Sequence, residues 1–127
     1  MKKHVLFILL CTIVFSVFSQ EKGKKYAIRT LAFYNLENLF DTINNPNKDD
    51  ELSPIMQLKT NKSKVYWDKI EKLGSVISQI GFEKTKTSPA IIGVCEIENI
   101  NVLEDLIKSQ HLKKMNYDII HYESPDK

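Results

Sequence analysis

The chain has 127 residues, with 18 lysines and arginines against 16 aspartates and glutamates, three histidines and two cysteines. That length supports one small domain at most, and so even a charge balance gives no argument for general nucleic-acid affinity, which normally shows as a strongly basic domain or face. Any polyanion binding has to be local.

Residues 1–19 carry Lys2 and Lys3, then an apolar run from position 5 to 18, then the exit Val17-Phe18-Ser19 before Gln20. This is the pattern of a secretory signal peptide. A membrane-spanning helix needs about 20 apolar residues, whereas this run is shorter, is interrupted by Thr12 and Ser16, and gives way to a polar stretch at 20–25. The expectation is export to the periplasm or the medium, with no stable membrane span after cleavage. Leu10 is bulky where lipoprotein processing wants a small residue before Cys11, so lipid attachment is not expected. Cleavage takes two lysines and no acid, which lowers the 18 basic residues by two to match the 16 acidic ones. It also leaves Cys95 without a disulfide partner. Within Ala90-Ile91-Ile92-Gly93-Val94-Cys95 that thiol reads as a small buried hydrophobe rather than a nucleophile, because neither His111 nor His121 is near in sequence.

Residues 27–34 (AIRTLAFY) mix β-branched and aromatic residues in near alternation, which predicts a strand with Asn35 at its end. Residues 36–41 have apolar positions three and four apart and predict a single helical turn. Positions 42–62 turn to Asn, Asp, Lys, Pro and Ser and predict a surface loop, marked by Asn44-Asn45-Pro46-Asn47. A helix capped by Ser63 follows to about Ile80, with Trp67, Ile70, Leu73, Ile77 and Ile80 as its apolar stripe and Gly81 as its stop. Lys64, Asp68, Lys69, Glu71 and Lys72 read as a solvated face; the sharper alternative is a phosphate-binding strip of Lys62, Lys64 and Tyr66. Residues 90–95 form a continuous apolar run, the mark of a strand covered on both faces, and Glu96 follows directly. A second helix is predicted from Asn101, with Glu104 in a capping-box arrangement, to near His111. Residues 117–122 (YDIIHY) read as a third strand. The order implies an α/β layered domain of the α+β kind. Because the last run is followed only by Ser124-Pro125-Asp126-Lys127, the domain of residues 20–127 is expected to be incomplete at its C-terminus.

Two polar side chains therefore sit where core strands emerge, Asn35 and Glu96. A carboxylate held there loses hydration unless something positive meets it, and a hard cation such as Mg2+ prefers carboxylate and amide oxygens while keeping waters for a substrate. The stretches Leu31-Ala32-Phe33-Tyr34-Asn35-Leu36-Glu37-Asn38-Leu39-Phe40 and Ile91-Ile92-Gly93-Val94-Cys95-Glu96-Ile97-Glu98-Asn99 resemble the first two motifs of the endonuclease/exonuclease/phosphatase superfamily. That group includes pancreatic-type deoxyribonucleases, abasic-site endonucleases, inositol-phosphate phosphatases and bacterial sphingomyelinases, and the chain is similar to exported bacterial members with an FYN-x-ENLFD opening.

The resemblance implies the N-terminal portion of a four-layer α/β/β/α sandwich with mixed sheets. It makes Asn35 the amide that binds or positions a metal and its water shell, and Glu96 the main carboxylate ligand of Mg2+ or Mn2+. The implied reaction is attack of water on a phosphoester, nucleic acid among the substrates, as in an endonuclease or phosphodiesterase. The family's paired histidine and acid, its Asp-x-Asn and its terminal Ser-Asp-His do not occur in this sequence. Residues 1–127 alone are accordingly expected to be inactive, and an exported binding module on the same fold stands as the alternative. Glu98 shares a face with Glu96 if the segment is extended but reads as a loop acid, Glu37 as a solvent-facing turn acid, and His121 and Glu123 as strand residues that could approach the site.

Overall fold

The computed structural model describes residues 25–123, so the signal-peptide expectation for residues 1–19 lies outside them. Strand β1 runs Leu31–Leu39, a 3-10 turn Asp50–Leu52, helix α1 Lys62–Gln79, the short helix α2 Phe82–Thr85, strand β2 Ile91–Ile97 and helix α3 Ile100–Lys108. Mixed strands and helices place the chain in the α/β class, as its order of elements implied. Among the described residues β1 and β2 form one parallel two-stranded sheet, with Leu31 opposite Ile91 and Asn35 opposite Cys95. A parallel pair needs a crossover, and α1 with its flanking loops supplies it.

Alternation decides what the sheet buries. Tyr34, Leu36, Ile92 and Val94 turn toward the helices and join a core of Leu36, Leu39, Tyr66, Ile70, Ile77, Val102, Leu103, Leu106 and Leu112. Leu36, Leu39, Ile70 and Val102 are fully buried there, each contributing about 1.5–3 kcal/mol relative to an exposed position. The other sheet face carries Leu31, Phe33 and Ile91, which stay 71%, 72% and 61% exposed. Gly93 lies opposite Phe33 on that face, and a Cβ on it would come within 2.8 Å of the Phe33 ring.

Several expectations shift. Residues 36–41 are not a helical turn: Leu36 and Leu39 belong to β1, and Glu37 and Asn38 take left-handed backbone with φ of 50° and 55°. The three-and-four spacing arises because both leucines reach the core across this bulge. Helix α1 starts one residue before Ser63, after left-handed Asn61, and Asn61 makes no side-chain cap. Its stop is as expected, since Gly81 takes φ 72° beside Thr30. Helix α3 is capped by Asn99, whose side-chain oxygen accepts from the backbone N–H of Asn101 and Val102 at 2.8 and 3.2 Å, rather than by Asn101. Glu104 pairs instead with Lys108, one turn on.

Residues 117–122 keep the predicted alternation, with Tyr117 and Ile119 against the core and Ile120 and Tyr122 exposed. They are extended but pair with no strand of the described residues, so the expected third strand is absent there. A 1370 Å³ cavity is lined by β2 and by this segment. The loop after β1 is ordered by its own acids: buried Asp50 accepts from the Asn45 N–H at 2.9 Å and Asp41 from the Ile43 N–H at 2.6 Å.

Candidate metal centre

In a regular parallel ladder Glu96 would follow Ile92 and Val94 toward the core. Its φ of 58° breaks that alternation, and its exposed carboxylate instead meets Asn35, which stands opposite Cys95. The Asn35 amide Nδ2 donates to Glu96 Oε1 at 2.7 Å. The Asn35 Oδ1 in turn accepts from the Glu37 N–H at 2.6 Å. Pairing resumes only at Leu39 opposite Ile97, so four chain steps on β1 face two on β2. The pair thus rests on three left-handed residues, Glu37, Asn38 and Glu96. Non-glycine residues pay about 1–3 kcal/mol each for sparsely populated backbone, Asn least, and such outliers gather at functional sites.

Lys69 of α1 was expected on the solvated face. It is half-buried instead and donates from Nζ to the Glu37 carbonyl at 2.5 Å and the Asn38 carbonyl at 3.1 Å. Burial pushes its ammonium below the usual lysine range, against the upward pull of the Glu37 and Glu96 carboxylates. Its spacing carried the signal: Lys69 is three residues after Tyr66 and four before Leu73, hence on the flank of the buried stripe.

Glu98 turns away from the pair. Its Oε2 accepts from the Asp41 N–H at 2.8 Å, its own N–H donates to the Leu39 carbonyl at 3.1 Å, and Asn99 bonds Asp41 across 3.5 Å. Burial raises the Glu98 carboxyl above the ordinary range; the Asp41 N–H opposes this, while the charges of Asp41 and Asp50 add to it. Glu98 therefore acts as the loop acid the sequence implied, and Glu37 is exposed as expected of a turn acid. His121 lies 4.0 Å from Glu123, which pairs with Lys48 at 3.1 Å. These residues line the same cavity as Glu96 and Glu98 but make no hydrogen bond to Asn35 or Glu96. The phosphate strip dissolves: Tyr66 is buried and donates to Asp105 at 2.8 Å, and Lys64 pairs with Asp68 at 2.6 Å. Burial, then Asp105, pushes the Tyr66 hydroxyl well above its ordinary value. Cys95 is a free, half-buried thiol.

Among the described residues no three or more His, Cys, Asp or Glu side chains gather closely enough to enclose a metal ion, and no helix is long and apolar enough to cross a membrane. What the pair offers is one strand-held carboxylate whose Oε2 takes no hydrogen bond from a described residue, oriented by an amide on Oε1. That oxygen-only donor set fits Mg2+, which is often held by one or two carboxylates and completes its shell with water and substrate.

Residues 30–127 match the endonuclease/exonuclease/phosphatase family, whose members in general hydrolyse phosphoesters and use divalent metals. Neither a curated protein nor a solved structure matches the chain significantly. The family match begins just before β1 and takes in both strand ends that carry Asn35 and Glu96, so the chain belongs to the endonuclease/exonuclease/phosphatase family.

Proposed function

We propose that the chain is part of an exported, divalent-metal-dependent nuclease or phosphodiesterase, in which Glu96 holds Mg2+ or Mn2+ and Asn35 orients Glu96. The observation that carries this is the 2.7 Å contact between two residues 61 apart in sequence, held on a left-handed Glu96. Glu96 Oε2 would bind the cation, and Asn35 Nδ2 would keep Oε1 from rotating into competition. When bound, such a cation polarises a phosphoryl oxygen and offsets charge growing in the transition state. The exposure of the pair leaves room for a phosphoester on its open side. Export is supported by the pattern of residues 1–19 alone.

The uncovered apolar face of Leu31, Phe33 and Ile91 supports a second sheet packing there, as in a four-layer α/β/β/α sandwich. On this reading residues 20–127 are the N-terminal part of the domain and are inactive alone. Titrating Mn2+ into the isotopically labelled chain tests the central assignment. Paramagnetic broadening should centre on Glu96 and Asn35 and vanish in Glu96→Gln; broadening that survives Glu96→Gln unchanged removes Glu96 from its role.

A further inference from the structure

We propose that Lys69 is a positioning residue that presents Asn35 to Glu96. Four contacts link them: Lys69 Nζ to the Glu37 and Asn38 carbonyls, the Glu37 N–H to Asn35 Oδ1, and Asn35 Nδ2 to Glu96 Oε1. Consecutive left-handed residues at 37 and 38 bring two carbonyl oxygens to one ammonium. Without a cation between them those dipoles oppose each other, and the bulge loses the reason to keep the Glu37 N–H aimed at Asn35. A lysine is suited to this, being a compact charge with three donors. Its helix is fixed by the buried neighbours Tyr66 and Ile70, so α1 sets the height of the ammonium against the sheet. A surface lysine paired with an exposed carboxylate contributes little; this one makes charge-assisted bonds to backbone acceptors, which are the stronger kind.

The functional meaning of this link rests on the reading of Asn35 and Glu96 as the metal-holding pair, whereas the link itself is measurable without metal. In the full chain, the Lys69 ammonium should be protected from exchange and show scalar coupling across its hydrogen bonds to the carbonyl carbons of Glu37 and Asn38. In Lys69→Met the two Asn35 side-chain amide protons should move toward free-amide shifts and exchange faster, while the β1–β2 backbone signals persist. Affinity for Mn2+ should fall about 10–100-fold, the range typical of residues that orient a ligand, and Lys69→Arg should recover part of both effects. Failure of the unsubstituted chain to bind Mn2+ overturns the metal assignment, and the Asn35 signals still decide the positioning role. Unchanged Asn35 signals in a folded Lys69→Met overturn that role. If Lys69→Met does not fold, absence of the Lys69 couplings in the unsubstituted chain overturns it equally.

Discussion

Replacing Asn35 by aspartate converts the donor facing Glu96 Oε1 into a second carboxylate oxygen at a position now 2.7 Å away. Relaxation to about 4 Å leaves a repulsion of about 1 kcal/mol in bulk water and about 4 kcal/mol at the effective dielectric of a protein surface. Both side chains are exposed, so the lower part of that range applies, and the lost hydrogen bond adds about 1 kcal/mol. We expect Asn35→Asp to lower stability by about 1–3 kcal/mol at neutral pH. The two carboxyls then titrate as one unit, with one proton held above the unfolded carboxylate value. A raised folded-state value gives stability that is present below about pH 4 and lost as pH rises through the raised value. The deficit relative to the parent should thus shrink on acidification and, where Mg2+ binds, on adding Mg2+. Urea unfolding followed by tryptophan fluorescence between pH 3.5 and 8 is the assay, using Trp67. A deficit that is the same at every pH would refute the juxtaposition of the two side chains.

Glu98→Gln keeps an oxygen for the Asp41 N–H and removes a carboxyl that burial holds above its ordinary value. The parent loses stability as pH rises through that raised value, so the variant should be the more stable at neutral pH, by less than about 1 kcal/mol given its partial exposure. Thermal melts across pH check this, and superimposable profiles would contradict it. Gly81→Ala places a Cβ within 2.2 Å of Thr30 Oγ1 at φ 72°, and we expect a loss of about 1–3 kcal/mol from backbone strain and overpacking. An unchanged urea midpoint would show that the α1 stop tolerates a side chain.

Helix α1 was legible within two residues at its start, where Asn61 and not Ser63 stands at the cap, and within one at its end, because Ile70 and Ile77 recur at a helical period and Gly81 ends it. Strand β2 was legible because the run from Ile91 is continuous and apolar, but its expected cover on both faces was not found: Ile91 stays 61% exposed, so one face is open. The segment after Asn35 was not: Leu36 and Leu39 have helical spacing, and only pairing of Leu39 with Ile97 reveals that two extra residues bulge out between them. The cap of α3 was misplaced by two residues because Asn99 and Asn101 are both good cap residues, and only the bonds that Asn99 accepts from the N–H groups of Asn101 and Val102 tell them apart. Residues 117–122 show how far period reaches. Alternation specifies an extended chain, while a ladder also needs a neighbour at hydrogen-bonding distance. Within the site, Asn35 and Glu96 could be singled out at strand ends, yet their direct contact depends on a left-handed Glu96 that no local pattern announces. Lys69 was missed because it was grouped with four other charges at positions 64–72, although its spacing from Tyr66 and Leu73 puts it on the flank of the buried stripe; its partners, the Glu37 and Asn38 carbonyls, are seen only in the fold.

The crossover between β1 and β2 has a kinetic consequence. Asn35 and Glu96 are 61 residues apart, and closing a flexible loop of that length costs about 3.6 kcal/mol before any contact forms. Such non-local pairing is slow to nucleate, while α1 can form locally beforehand and carry Lys69 into place. The pair is therefore expected to assemble late in folding. Its Asn35 amide signal should appear with the β1–β2 backbone pairing rather than with helix formation, which makes this one hydrogen bond a clock for the whole sheet.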